Sequence, residues 1–472
     1  MEKITNYIDG ELIGPKKNKY LKNLSPVNGK VYSLIPDSDA SDVRLAVKAA
    51  KKAFLHWGKS TREYRCSWML KLAEAIDSHA EKLVASESFD NGKPEWLAKT
   101  IDIPRCSANL RFFATAITHF DSKSHDMDGV ALNYTLKKPI GVAGCISPWN
   151  LPLYLLTWKI APAIAAGNTV VAKPSEITPY TAYLLSKICV EINFPKGVIN
   201  IVHGKGKAAG EAVVKQCDII SFTGGTETGK IIAEKTARQF KKCSLELGGK
   251  NPMVVFKDCD FNLTVDTVVR GAFLNQGQIC LCGSRVFIEK SIYTRFRSAL
   301  LKKIKQLSVG DPKNPKNNLG AVVSKEHLKN ILLKIKTAQD SGGKVLVGGD
   351  RVILNGALKN GYYMSPCLIE KTKNTDKINQ EEVFGPVATI MPFNKESEVV
   401  KLCNETKYGL SACVFSNNIS KAHRVAAKID AGLVWINSWL IRDLRIPFGG
   451  MKDSGLGREG GYNSLNFFTE QK

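Results

Sequence analysis

At 472 residues the chain is long enough for two or three domains of about 150 residues each. Hydrophobic residues at 44% and charged residues at 24% are ordinary globular values, which exclude collagen-like, coiled-coil and disordered readings. The 67 Lys+Arg against 44 Asp+Glu leave a net charge of +23, which raises the question of nucleic acid.

The first residues, Met1 to Ile13, are polar and mixed, without the charged-then-apolar order of a secretory signal. The densest basic run, Lys16, Lys17, Lys19 and Lys22, has no RNA-stacking motif around it, so a solvated basic face is expected rather than a nucleic-acid partner. Val43, Val47, Ala50 and Phe54 recur at helical spacing, as do Met69, Leu72, Ala73 and Ile76. Arg105 to Phe120 is a further helical stretch; Asp121 to Gly129 reads as a polar loop, and Ala131 to Leu136 alternates like a strand. From Gly141 the rhythm becomes strand, helix, strand: Val142 to Ile146, Thr169 to Ala172, Val198 to Val202 and Ile219 to Phe222, with helical patterns between. That alternation implies a parallel sheet covered by helices, which binds ligands at the carboxyl ends of its strands. The longest apolar tract, Cys145 to Gly167, is broken by Asn150, Lys159 and three prolines, so no membrane span is expected.

A second α/β region begins at Pro252 to Phe256, includes a helix with Phe296, Leu300, Ile304 and Leu307 on one face, and runs to about Pro447. The glycine-rich tail closes on an apolar end, Leu465, Phe467 and Phe468, read here as a strand that needs a sheet edge, in an inter-subunit contact. The 12 cysteines contain no C-x-x-C and the 7 histidines no H-E-x-x-H, so no metal site is expected. So many thiols without a signal peptide point to a reducing compartment, the cytoplasm.

Three segments can carry chemistry. Phe273 to Cys280 sets small and amide residues before a cysteine, the surroundings of a nucleophilic thiolate. Glu246 stands between leucines, where burial would raise its pKa and make it a base near neutral pH. Asn150 lies in a proline-fixed turn, Ser147 to Pro152, from which a rigid amide can serve an oxyanion. Each has an ordinary counterpart: a buried structural Cys, a solvated acid, a plain Asn turn.

Together the three segments resemble the NAD(P)-dependent aldehyde dehydrogenase superfamily, over essentially the whole chain. The order of motifs carries the likeness: Pro148-Trp149-Asn150, Lys173-Pro174-Ser175-Glu176, Phe222-Thr223-Gly224-Gly225, Glu246-Leu247-Gly248-Gly249-Lys250, Gly277-Gln278-Ile279-Cys280, Glu382-Val383-Phe384-Gly385-Pro386 and Pro447-Phe448-Gly449-Gly450. The resemblance implies an α/β fold with a Rossmann-like NAD-binding domain (residues 1–120 and 141–248) and an α/β catalytic domain (249–447). A small β oligomerisation extension (121–140 and 448–472) would build a homodimer or homotetramer. It further implies NAD as cofactor, although Gly204-Lys205-Gly206 with Gly210 is one residue longer than the usual dinucleotide fingerprint and Glu176 precedes it. Carried across, Lys173 and Glu176 hold the adenosine ribose, Gly206 and Gly210 line the adenine side, and Gly225 faces the pyrophosphate. Glu382 holds the nicotinamide ribose with Phe384 beside it. Ile146, Ser147, Pro148, Trp149, Ser175, Phe222, Thr223, Thr228 and Leu247 complete the cofactor-binding set. Glu176 would repel a 2′-phosphate, which favours NAD over NADP.

The implied reaction runs through Cys280. Its thiolate attacks an aldehyde, the Asn150 amide and the Cys280 N–H hold the oxyanion, hydride leaves for the nicotinamide, and Glu246 activates water to hydrolyse the thioester. The Cys280-Leu281-Cys282 run, the Asn437 to Leu444 loop and the closing residues look most like the branch acting on 2-aminomuconic semialdehyde in kynurenine-pathway tryptophan catabolism. Arg442, in the loop that walls the family's aldehyde tunnel, and Arg105 are expected to meet a substrate carboxylate, with Trp158 also on the substrate side. The alternatives are a retinal or broad-specificity aldehyde dehydrogenase and, from another class, a non-catalytic structural or RNA-binding protein on the same fold.

Overall fold

The computed structural model describes residues 1–472 and contains two large sheets, between which the chain passes at Leu247 to Lys250 and again, in return, between Ile436 and Gly455. In spatial order the first consists of Gly455–Leu456, Cys243–Glu246, Ile219–Thr223, Val142–Ile146, Thr169–Lys173, Ile199–Ile201, Asn6–Ile8 and Glu11–Ile13. Its five central strands are parallel and its outer strands antiparallel. The chain lays Val142–Ile146 first, adds two strands on one side, then returns to add two on the other. That reversal opens a crevice beyond the carboxyl ends of the strands, the usual place for a ligand.

These strands are short apolar runs because both faces are covered. Ala143 and Cys145 pack into a core with helices Arg62–Ser78, Ile103–Ala116 and Pro152–Ala165, whereas Val142 and Ile146 face a second core under helix Ala40–Trp57. The second sheet runs Lys344–Val347, Cys367–Glu370, Val387–Phe393, Gly283–Glu289, Asn251–Val255, Ser411–Phe415 and Leu433–Ile436, parallel except for its first strand.

Glu246 ends a strand of the first sheet and Asn251 begins one of the second, so only Leu247 to Lys250 separate them. The carboxyl edge of one sheet therefore meets the amino edge of the other. Cys280 lies just before Gly283–Glu289, and Glu382 to Gly385 just before Val387–Phe393. Every motif with chemistry falls on this seam.

The tail differs from the strand expected there. Leu465 and Phe467 lie in a helix, Gly461–Phe467, and Leu465 and Phe468 are buried in the chain's own core, where the Asn168 side chain donates to the Phe468 carbonyl at 2.7 Å. The strand is the polar Thr469–Gln471, paired antiparallel with Lys137–Pro139 of the same chain. The stretch read as a polar loop holds a short strand, Ser124–Asp126, paired with Leu132–Tyr134. No helix is long and apolar enough to cross a membrane.

Candidate active site

The loop before Cys280 is strained. Asn275, Gln276 and Gly277 have φ of 53°, 55° and 67°, three left-handed residues in succession. Such backbone persists only when its surroundings over-determine it. Here the amide side chains do so: Asn275 donates to the carbonyls of Asn150 and Gln278 (both 3.2 Å), and Gln276 to that of Ala321 at 3.0 Å. Gln278 Oε1 accepts the Val323 N–H at 3.0 Å. Past the loop, the Asn251 side chain donates to the Cys280 carbonyl at 2.7 Å. The Cys280 N–H has no acceptor within the protein and its thiol is half-buried.

Two cavities meet at this thiol. One, of about 400 Å³, is lined among others by Arg105, Tyr154, Trp158, Glu246, Cys280 and Arg442. The other, of about 170 Å³, brings Pro148, Trp149, Asn150, Thr223, Gly225 and Leu247 together with Cys280, Glu382 and Phe384, and adds His327. Asn150 spends one amide N–H on the Gln278 carbonyl at 2.9 Å; the second remains available.

Glu246 is buried with neither carboxylate oxygen hydrogen-bonded. Burial, and then the charge of Glu459, push its pKa well above the ordinary range, with Lys159, Arg442 and Arg458 opposing. A side chain at Gly449 would put Cβ 2.9 Å from Glu246 Oε1, so a glycine leaves this carboxylate its room. Burial also lifts the Cys280 thiol, helped by the charges of Glu382 and Glu246, while Arg442 acts the other way. The thiol therefore holds its proton at neutral pH and must lose it to a nearby base before it can attack.

Behind Glu246 lies a pair that the motifs alone did not single out. Buried Lys159 donates to Glu459 Oε1 at 2.8 Å and to Ser221 Oγ at 3.0 Å. Glu459 Oε2 accepts the Trp158 indole N–H at 2.7 Å, so Trp158 is braced from behind while it lines the larger cavity. The pairing spans some 300 residues of sequence, which no local pattern reports.

Arg442 stacks over two rings, its guanidinium carbon 3.9 Å from the Phe448 centroid and 4.5 Å from that of Trp158. Its Nε and Nη2 are buried without acceptors. Burial and the charge of Arg105 pull its pKa down. Arg105 is half-buried on the helix Ile103–Ala116, with its guanidinium 5.8 Å from the Tyr154 ring. An unpaired guanidinium fork beside a second cation suits an anionic group.

The residues expected to bind cofactor follow strand ends of the first sheet. Lys173 Nζ donates to Glu176 Oε2 at 2.7 Å, and the Gly206 N–H to Oε1 at 3.1 Å. Gly210 is buried beside the Lys173 side chain; Ser175 accepts the Ile177 N–H at 3.2 Å. Gly225 caps the helix Thr226–Ala237 with no side-chain cap and open space where a Cβ would stand, leaving first-turn N–H groups free for an anion. Ile146 and Phe222 are buried beneath, and Thr228 is exposed on the first turn. Ser147 and Thr223 have buried hydroxyls without partners, the mark of groups that await a ligand or water. Glu382 accepts the Gly249 N–H at 3.0 Å, and burial pushes its pKa up to about 7. The Phe384 carbonyl contacts His327 Nε2 at 2.8 Å, and the rings of Phe384 and His327 flank Trp149 at 5.1 and 5.3 Å. A dinucleotide fits this set: a lysine-paired acid at one end, an open helix N-terminus between, and aromatic rings with a second acid at the thiol.

The aldehyde dehydrogenase family profile matches residues 13–472. Among characterised proteins, a 2-aminomuconic semialdehyde dehydrogenase of Danio rerio is 47% identical, the alignment covering 99% of this chain and 97% of that protein. Its Homo sapiens counterpart is 44% identical with the same coverage. Among solved structures, the NAD+ complex of an aldehyde dehydrogenase from Bacillus cereus superposes with a TM-score of 0.97 at 36% identity, covering 100% of this chain and 96% of the other.

Proposed function

Because the chain belongs to the aldehyde dehydrogenase family, we propose that it oxidises a short carboxylated semialdehyde, 2-aminomuconic semialdehyde foremost, to the acid with NAD. The observation that carries the substrate class is Arg442, whose buried, unpartnered guanidinium nitrogens share a cavity with Arg105 and Cys280.

The residues divide the work as follows. Cys280 attacks the aldehyde carbon once its thiol proton passes to a base, and Glu246, which lines the same cavity, is the carboxylate placed to take it in its ionised form. The Cys280 N–H and the free Asn150 amide N–H stabilise the oxyanion; losing one such donor costs about 10²–10³-fold in rate. NAD supplies the hydride acceptor when bound. Lys173, Glu176, Gly206, Gly210 and Gly225 would hold its adenosine and phosphates, and Glu382 and Phe384 its nicotinamide end. Glu246, once it has released that proton to solvent, takes one from the water that attacks the thioester, which frees the acid and returns Cys280 as the thiol, while Arg105 and Arg442 hold the far carboxylate.

On this reading residues 1–120 and 141–248 bind the cofactor, 249–447 supply the thiol, and 121–140 with 448–472 join subunits into a homodimer or homotetramer. Twelve free cysteines fit a reducing, cytoplasmic setting. The test is a pair of substrates. Arg442→Ala is expected to raise KM for a carboxylated semialdehyde about 10- to 100-fold more than KM for a neutral aldehyde of equal length, since any change at Cys280 falls on both. Equal effects on both would overturn the anion reading in favour of an apolar or broad-specificity tunnel. Cys280→Ala must abolish NADH production.

A further inference from the structure

The Asn150 turn is held from behind by a charge that the reaction does not use. Helix Ala80–Asn91 ends at Gly92, whose φ of +93° turns the chain so that Asn91 and Lys93 both reach the main chain of residues 149–150. Asn91 Nδ2 donates to the Trp149 carbonyl at 2.8 Å, and Lys93 Nζ to the Asn150 carbonyl at 3.0 Å. The same Asn150 carbonyl accepts Asn275 Nδ2 at 3.2 Å, from the strained loop before Cys280. Lys93 is wholly buried; its ammonium also pairs with buried Asp102, and Glu87 Oε1 stands 3.9 Å away. Asp102 closes a π-helical turn, Ala98–Asp102, that leads into the helix carrying Arg105, and it lines the larger cavity. A wide turn of this kind commonly marks a functional position.

We propose that Lys93 is a positioning residue for the oxyanion site: gripped by Asp102, it fixes the Asn150 main chain and thereby the aim of the Asn150 amide. The inference rests on the reading of Asn150 as oxyanion donor. Its physical basis is leverage. Asn91 Nδ2 also lies 3.4 Å from the Asn150 carbonyl, so with Lys93 and Asn275 three donors converge on it; the peptide plane after Asn150 is fixed, and with it the Cα–Cβ direction. A tilt of roughly 15° there swings the side-chain nitrogen by about 1 Å, and a misplacement of that size costs on the order of 10²-fold in rate. A buried lysine paired for stability alone could end at a carboxylate; this one spends a further N–H on the one turn that carries the amide.

A double-mutant cycle in the full-length enzyme with NAD separates positioning from mere stability. Lys93→Met, Asn150→Ala and the double variant are compared by kcat on a carboxylated semialdehyde, with the thermal midpoint and Cys280 alkylation rate recorded alongside. Lys93→Met is expected to lower kcat by about 10²-fold, with alkylation within about threefold of wild type and no further loss of kcat in the Asn150→Ala background. Losses that multiply, or a Lys93→Met enzyme with wild-type kcat, overturn the proposal. Wild-type turnover by Asn150→Ala would instead sink the oxyanion reading and the inference with it. If Lys93→Met does not fold, Asn91→Ala takes its place in the cycle. It removes a neutral donor from the same turn, leaves no buried charge unpaired, and is expected to lose about tenfold only while Asn150 is present.

Discussion

Glu246 stands at a strand end with two unpartnered oxygens, and its proton affinity has a consequence for the whole fold. Its folded pKa is raised above the unfolded value of 4.5, so the folded chain holds the proton more tightly than the unfolded one. The stabilisation this gives is complete below the unfolded value and is lost as pH rises through the folded one. Glu246→Gln removes that loss. The variant is expected to match wild type near about pH 5 and to exceed it in thermal midpoint near about pH 9, while thioester hydrolysis fails. Parallel melting curves across the range would show that the carboxylate is not held protonated. A second residue effect concerns Arg442, the cation that opposes the upward shift of the Cys280 thiol. Arg442→Met should slow iodoacetamide alkylation of Cys280 at fixed pH, about tenfold for each unit by which the thiol pKa climbs. An unchanged rate profile would remove Arg442 from the thiol's electrostatics.

At the scale of elements, loops matter more than strands. The sheets were legible because short β-branched runs alternate with helical ones, and the motifs at their carboxyl ends (Trp149-Asn150, Lys173, Thr223, Glu246) follow directly from where those runs stop. Lys159 with Glu459, and Lys93 with Asp102 and Asn150, were not legible: each pair is made by packing between distant segments, and spacing encodes nothing about it. In the tail, Leu465, Phe467 and Phe468 suit a helix turn as well as a strand, and burial of Leu465 and Phe468 beside Asn168 favours the helix. Gly277 belongs to the Gly277-Gln278-Ile279-Cys280 motif, and it also fixes where the cysteine loop can go. Its φ is +67°, and a Cβ there would lie 2.1 Å from the Gly385 carbonyl oxygen, backbone that cannot yield. Gly277→Ala is therefore expected to lose at least about 1–3 kcal/mol of stability and about 10²-fold in kcat. Gly206, with no positive φ and open space around it, serves as control: Gly206→Ala should leave the thermal midpoint unchanged. Equal midpoints for the two variants would refute the close-packed loop.

At the scale of the molecule, one feature is out of balance for an isolated subunit. The hairpin of Ser124–Asp126 and Leu132–Tyr134 exposes Val130, Leu132 and Tyr134 at 81%, 66% and 66%. Two strands are marginal in water without a face packed against something, and here neither strand is buried. Nearby, Thr469–Gln471 pairs with Lys137–Pro139 in a two-stranded sheet with both outer edges open. Open edges and an apolar surface in one extension, on a chain whose +23 charge otherwise keeps copies apart, suit a second copy laid against it. Replacing Leu132 and Tyr134 together by Glu would put charge on that surface without touching the thiol or either cavity. In size-exclusion chromatography with light scattering the wild type is expected to run as a dimer or tetramer and the double variant, at the same concentration, as a monomer. Its Cys280 should still be alkylated at the wild-type rate, since neither substitution lines the cavities around it. A wild-type mass for the variant would mean that subunits meet elsewhere and that the extension serves another purpose.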